Sequence, residues 1–402
     1  MDGKGKVLVH DYSGHPFQVQ LSRELARRGY NVLHVYSKSF QTPRGFLARK
    51  PGDPANFQVF GIELSGPFAK YSFVRRWFQE REYGRLLARK VSEFKPDVVV
   101  SCNTPLDPQR VLLEECGRLG IRFVFWVQDL YGVAIDRILR RSIPLVGGLI
   151  GRHYMRLEGD LLRRSDAVVL ITEDFMQAME KLGVDKSKVS VVRNWAPLDE
   201  VAVLPKSNGW SRANGLEGEF CFMYSGTLGL KHNPGVLLEL ALHFRDDDRV
   251  RVVVVSEGLG ADYLREKGGK LGLKNLVVLG FQPFERFGEV LASADVLVAA
   301  IEPDAGIYSV PSKVLTYMCA RRPLLLAVPK ENLAGRIVCE ANAGLVCEPH
   351  DMKAVLDAAL RLRSDDGLRG ALAGNARAYA EKNFGIKEIC GRFEAIINKP
   401  SH

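Results

Sequence analysis

The 402-residue sequence has no C-x-x-C pair, and its seven cysteines, at 102, 116, 221, 319, 339, 347 and 390, are scattered and odd in number. That argues against a disulfide framework and for free thiols in a reducing cytosol. No stretch reaches the roughly 18–20 uncharged apolar residues of a spanning helix. No signal peptide is expected, because Lys4 and Lys6 lead straight into the first strand-like run, Val7-Leu8-Val9. The expectation is a cytoplasmic protein that is soluble or lies on a membrane surface. The eight histidines are dispersed without an H-x-x-x-H pair, so no metal site is expected. The Walker loop G-x-x-x-x-G-K-[ST] is missing. RRM, KH and helix-turn-helix signatures are missing too, which argues against nucleic acid as a partner despite the positive charge.

What is present is a globular composition, 46% hydrophobic and 26% charged, with a net charge of +9. The length suits two domains, and the charge allows phosphorylated small molecules or an anionic membrane surface as partners. Short apolar runs read as strands at 6–10, 31–36, 98–100, 123–127 and 167–171, and again at 220–224, 250–255, 276–279, 296–300 and 324–328. Continuous apolar strands separated by helices predict parallel sheets covered on both faces. The fold class expected is α/β, two tandem Rossmann-like doubly wound domains. Residues 1–198 form the first, 199–218 a linker rich in Pro, Gly, Ser and Asn, and 219–380 the second. A long helical stretch, 369–397, closes the chain, and its 381–402 part is expected to pack back on the first domain. Ligands of such sheets bind beyond the carboxyl ends of the strands, so facing sheets would hold two substrates in a cleft.

The loops after the strands carry the candidate chemistry. In the first half, Gly14 and His15 follow the first strand, Asn103 follows the strand at 98–100, and Asp129 follows that at 123–127. Gly14 would allow close backbone approach, and His15 could serve as a base or phosphate contact, a capping or surface histidine being the alternative. In the second half, Tyr224-Ser225-Gly226-Thr227-Leu228-Gly229-Leu230-Lys231 opens as a strand end with glycines and a cation before a helix. Ser312 and Lys313 start a helix whose first amides and positive dipole suit an anion, or form an ordinary capped helix with a solvated lysine. Glu302, just past the preceding strand, could accept bonds from sugar hydroxyls. Ser256-Glu257-Gly258-Leu259-Gly260 is half of a G-x-G-x-x-G pattern, and Phe281-Gln282 could hold a nucleobase by stacking and edge bonds.

Two segments mix basic with apolar residues. Residues 67–90 contain Arg75, Arg76, Trp77, Phe78 and Tyr83. Residues 137–164 contain Arg137, Arg140, Arg141, Arg152, Arg156 and Tyr154 among Ile and Leu. Both suit helices lying on an anionic leaflet, or amphipathic helices packed on the domain core.

Together, "DYSGHPFQVQLSRELARRGYNVLHVY", "FWVQDLYG", "LRRSDAVVLITEDF", "YSGTLGLKHNP" and "SVPSKVLTYMCARRPLLLAV" resemble the retaining glycosyltransferases of family 4, GT-B fold, in the bacterial exopolysaccharide, lipopolysaccharide and colanic-acid branch. The resemblance implies a nucleotide-sugar donor in the second half and a saccharide acceptor in the first, expected on a polyprenyl diphosphate, in surface polysaccharide biosynthesis. It implies Asp129 and Glu302 as catalytic residues, to which the place of His15 past the first strand adds that histidine. It implies Thr227, Lys231, Ser312, Lys313 and Thr316 on the donor; position past the strand ends adds Gly226, Glu257, Phe281 and Gln282 there, and Gly14 and Asn103 on the acceptor side. The family's pair of donor glutamates is reduced here to Glu302, with Thr316 at the second position, and Gln128 stands where many members have histidine. No cofactor is implied. The leaving diphosphate takes the acceptor proton, and the protein's part is positioning and charge stabilisation. A sugar-nucleotide epimerase of the same fold is the alternative.

Overall fold

The computed structural model describes residues 4–39, 44–68, 72–142, 146–229, 232–302 and 312–399. They form two units, Met1–Arg193 with Ile386–His402, and Asn194–Gly385. Lys231 and the loop 303–311 lie outside the described residues.

The first unit carries seven parallel strands: β1 (Lys6–Asp11), β2 (Asn31–Ser37), β3 (Phe57–Ile62), β4 (Val98–Cys102), β5 (Arg122–Val127), β6 (Ala167–Leu170) and β7 (Val189–Val191). Their order is β3-β2-β1-β4-β5-β6-β7. Six helices connect them: α1 (Pro16–Arg27), α2 (Phe73–Phe94), α3 (Leu106–Leu119), α4 (Tyr131–Ser142), α5 (Gly147–Arg164) and α6 (Met176–Lys181). Helices on both faces bury the central strands, so Val7, Leu8, Val9, Val99 and Val100 are at most 1% exposed. Each such valine or leucine contributes about 1.5–3 kcal/mol by leaving water.

The second unit begins with α7 (Gly209–Ala213), whose Asn208 cap and buried Trp210 fix it to the body of the unit. The composition of 199–218 suggests an open linker, but a capped helix with a buried tryptophan occupies its middle. Six parallel strands follow: β8 (Phe220–Ser225), β9 (Val250–Val255), β10 (Leu276–Leu279), β11 (Val296–Ala300), β12 (Leu324–Ala327) and β13 (Gly344–Cys347), in the order β10-β9-β8-β11-β12-β13. Their helices are α8 (Pro234–His243), α9 (Leu259–Lys270), α10 (Phe287–Ala292), α11 (Ser312–Cys319), α12 (Leu333–Glu340), α13 (Met352–Ser364) and α14 (Asp366–Asn383).

The closing helical stretch is not continuous. It breaks after Asn383, and α15 (Ile386–Ile397) belongs to the first unit. There Phe393 is fully buried with its ring 4.7 Å from Trp126, Glu394 pairs with Arg28, and Asn398 donates to Tyr30 Oη at 2.8 Å.

In each sheet the strand order reverses direction once, between β1 and β4 and between β8 and β11. Connections leave in opposite directions there, which opens a crevice at the carboxyl ends of those strands. The loops after β1, β4, β8 and β11 therefore frame the two candidate sites.

Candidate active site

At the first reversal, Asp11 ends β1 and faces Cys102 of β4 in register. Its fully buried carboxylate accepts from the Ser13 amide at 3.1 Å, from the His15 amide, and from Asn103 Nδ2 at 3.3 Å. With the Gln18 amide turned to satisfy the network, its nitrogen donates to Asp11 Oδ2 at 2.6 Å and its oxygen accepts from Asn103 at 3.0 Å. Burial pushes the Asp11 pKa up, and these donors oppose the rise. One acid thus folds the loop that presents Gly14 and His15, and ties it to the β4 loop through Asn103. Gly14 has φ 77° and Asn103 φ 52°. His15 is half-buried at the cap position of α1, its ring stacked on Phe17 at 5.9 Å. The three predicted residues are gathered by Asp11, which local sequence does not mark.

Beneath them lies a neutral network. Buried His10 meets Ser101 Oγ at 3.0 Å, Thr104 Oγ1 at 3.0 Å and Tyr83 Oη at 2.9 Å. Burial and the neighbouring His34 hold the His10 pKa down to about 3. Tyr83 is therefore a core residue and not a membrane-facing one, a correction to the surface reading of 67–90. Asp129 follows β5, half-buried, two residues before α4.

At the second reversal two phenols organise the end of β8. Tyr317 of α11, fully buried, donates to the Ser225 carbonyl at 2.8 Å and accepts from the Ser225 amide at 2.8 Å. Tyr224 donates to the Thr227 carbonyl at 2.7 Å. Lys313 Nζ donates to the same carbonyl at 3.2 Å and to Tyr224 Oη, and lies 4.3 Å from the centre of the Tyr224 ring. Gly226 has φ 126°, a backbone conformation that favours glycine, and a Cβ there would stand 3.3 Å from Lys313 Cε. The structure thus brings Gly226, Thr227 and Lys313 together. Ser312 is exposed and is the first residue of α11, inside the helix, where the sequence suggests its cap. Thr316 is half-buried one turn further on, and Glu302 is half-buried two residues past β11.

The remaining donor candidates sit at the neighbouring strand ends. Glu257, after β9, accepts from the Phe281 amide at 3.2 Å and so braces the loop after β10. Phe281 is 38% exposed. The Gln282 amide is engaged internally: it accepts from Trp210 Nε1 at 2.9 Å and donates to the Gly280 carbonyl at 3.1 Å. Gly260 donates its amide to the Leu228 carbonyl at 3.0 Å, so this glycine joins two loops. The acidic run Asp246-Asp247-Asp248, which fits D-x-D, lies before β9, at the opposite end of the strand, with Asp247 near Arg363 at 3.5 Å. No cluster of His, Cys, Asp or Glu able to hold a metal is found among the described residues.

Residues 15–195 match a family model described as a glycosyl transferase 4-like domain, and residues 208–379 one described as glycosyl transferases group 1. A probable glycosyltransferase, WbjE of Pseudomonas aeruginosa, is 22% identical over 280 residues, 69% of this chain and 68% of that protein. The fold is similar to that of Anabaena HepE, solved with UDP and glucose, at TM-score 0.72 and 15% identity over 98% of this chain and 100% of that one. It is also similar to WaaG, a glycosyltransferase of lipopolysaccharide biosynthesis, at TM-score 0.70 and 18% identity, with 98% and 100% covered.

Proposed function

The chain belongs to the glycosyltransferases of GT-B fold, and on that premise we propose that it transfers a sugar with retention from a nucleotide-sugar donor to a saccharide acceptor. The observation that carries the proposal is the ammonium of Lys313 held on the Thr227 carbonyl and the Tyr224 hydroxyl at the second switch point, its stem passing Gly226. A cation beside a glycine at a strand end suits the diphosphate of such a donor. The fold neighbour HepE, solved with UDP and glucose, supports a UDP-sugar as the first donor to try. Both family models describe transferases, so the epimerase reading is not favoured.

In the proposed reaction the bond from the anomeric carbon to the diphosphate oxygen breaks, and a bond to the acceptor oxygen forms on the same face. The acceptor proton passes to the departing diphosphate. Lys313 and Lys231 offset the charge that develops there, Glu302 orients the sugar ring, and no metal is required. On the first unit, Gly14, His15, Asn103 and Asp129 receive the acceptor.

We propose further that the acceptor is polyprenyl-diphosphate-linked, in surface polysaccharide synthesis, and that the protein works peripherally on the inner leaflet. Among the described residues no helix is long and apolar enough to cross a membrane. Val74 (68% exposed) and Phe78 (61%) lie one turn apart on α2, Leu149 (61%) lies on α5, and exposed arginines including Arg75, Arg137 and Arg152 accompany them. Such a mixture suits reversible attachment to anionic lipid.

A donor screen by thermal shift tests the core of the reading. A ligand at a hundred times its dissociation constant stabilises by about 2.7 kcal/mol, and UDP-, GDP- and ADP-sugars distinguish the base. NMR of the product's anomeric proton then tests retention. An inverted product sinks the retaining mechanism, and indifference to every nucleotide sugar sinks the donor site.

A further inference from the structure

Between β2 and β3 the described chain, 44–56, forms no helix or strand, and a buried ion pair fixes its course. The side chains of Arg23, on α1, and Asp53 are 4% and 2% exposed, and Arg23 Nε lies 3.1 Å from each Asp53 carboxylate oxygen. Arg23 Nη2 donates to the Phe46 and Ala48 carbonyls, both at 2.8 Å, and the Lys50 amide donates to Asp53 Oδ2 at 2.8 Å. Arg49 Nη2 closes the far end on the Asp53 and Pro54 carbonyls at 3.3 Å. One guanidinium fork thus clasps residues 46, 48 and 53 against α1, a geometry that the point charge of an ammonium does not match.

The strap so formed also meets the end of β1. The Gly45 amide donates to the Gly14 carbonyl at 3.1 Å. Gly45 lies flush on the start of α1, where a Cβ would stand 2.6 Å from Pro16 Cα, and a Cβ on Gly14 would stand 2.6 Å from Leu47 Cδ1 and 3.6 Å from Arg44 Cγ. Arg44 Nη2 donates to the Ser37 and Lys38 carbonyls at 2.9 Å, at the end of β2, with its guanidinium 5.6 Å from the centre of the Tyr36 ring. The Gly14–His15 turn is therefore held both by Asp11 and by the strap.

We propose that Arg23 and Asp53 are a positioning pair for the acceptor side: by buckling 44–53 onto α1 they set the place of the Gly14–His15 turn and of Arg44 beside it. The proposal rests on the reading of the β1 end as the acceptor side. Neither residue of the pair touches substrate. Stability alone does not account for them, because an apolar pair of similar volume is often as stable as a buried ion pair, or more so. An apolar pair cannot gather two carbonyls and an amide, and that gathering is what places the strap.

Arg23→Met combined with Asp53→Val separates the two roles. The double variant is expected to unfold in urea at a midpoint near that of wild type, while the strap comes off α1. Hydrogen exchange of the full chain, corrected for intrinsic rates, reads this on peptides covering 44–50 and 12–17. Both are expected to exchange about tenfold faster than in wild type, with a peptide covering β4 unchanged. Arg23→Lys keeps the charge without the fork and is expected to free both peptides too; it decides if the double variant does not fold. Wild-type protection of 12–17 beside a freed 44–50 overturns the proposal, because the strap would then not place the turn. Wild-type protection of both peptides overturns it as well, and so does faster exchange that includes β4, which would make the pair a general stabiliser. Exchange needs no substrate, so these outcomes stand apart from any failure to detect sugar transfer. Calorimetry with UDP is expected to give wild-type affinity in both variants. Where transfer is measured, the KM for the acceptor is expected to rise about tenfold with the KM for the donor unchanged, and an equal rise in both overturns the assignment to the acceptor side.

Discussion

At the end of β1 the chain gathers its loop onto a buried acid; at the end of β8 it gathers the equivalent loop onto two phenols. Asp11 consumes the amides of Ser13 and His15 and the side chain of Asn103. Tyr224 and Tyr317 instead bind carbonyls, those of Thr227 and Ser225, and Tyr224 also accepts from the ammonium of Lys313. A buried carboxylate shapes a loop by drawing donors inward. A buried phenol can hold carbonyls in place and leave a cation at the rim. The same switch-point geometry is thus built in two ways, and the proposed donor site is assigned to the second end.

The comparison breaks most sharply at Asp11. Asp11→Ala leaves several buried donors without an acceptor, and it is expected to cost about 3 kcal/mol or more in urea unfolding. Asp11→Asn keeps an acceptor and should cost clearly less. A loss under about 1 kcal/mol for the alanine variant would mean the loop is not organised by this acid. Next comes Lys313→Ala, which should leave the fold intact and weaken UDP binding by about tenfold to a hundredfold, the equivalent of one charge-assisted contact. Calorimetry checks it, and unchanged affinity would remove the anion reading of the second end.

Tyr224→Phe sharpens the contrast further. It keeps the ring beneath the ammonium and deletes the hydroxyl bonded to Thr227 and Lys313. A stability loss of about 1 kcal/mol is expected, with donor affinity reduced less than in Lys313→Ala. An effect equal to that of the lysine variant would make the phenol, and not the cation, the centre of the site. The smallest structural effect belongs to the paired change Phe78→Ser and Leu149→Ser. Both residues are exposed, so unfolding should move by no more than about 0.5 kcal/mol each. Co-sedimentation with anionic vesicles should nonetheless drop several-fold at low salt. Vesicle binding equal to wild type would detach the first unit's apolar surface from any membrane role.

The central strands were legible in the sequence because burial on both faces makes them continuous apolar runs, as in Val98-Val99-Val100. The strands it did not mark are Phe57–Ile62, Val189–Val191 and Gly344–Cys347, and all three lie at sheet edges. β3 mixes exposed with buried positions, β7 is three residues long, and β13 opens on a glycine, whereas the other edge strand of that sheet, β10, is equally half-buried but was marked by its unbroken Leu276-Val277-Val278-Leu279 run. The long closing helix was over-read for a related reason: the apolar pattern continues across 384–385 although the backbone helix does not. Loop positions such as Gly14, Gly226 and Glu302 were legible because they follow strand ends. Asp11, Tyr224, Tyr317 and Arg23 were not, since each sits inside a strand or helix. Their meaning also depends on distant partners: Asp11 meets Asn103 across 92 positions, and Tyr317 meets Ser225 across 92.

The return of α15 to the first unit has a consequence for how the molecule is made. Residues 194–385 form an uninterrupted unit and have left the ribosome before the segment at 386–402 that completes the other one. Until then Trp126 lacks the Phe393 ring and Arg28 lacks Glu394. The half that is translated first is therefore the half that is finished last, and a chain truncated after Gly385 would carry a whole second unit beside an incomplete first one.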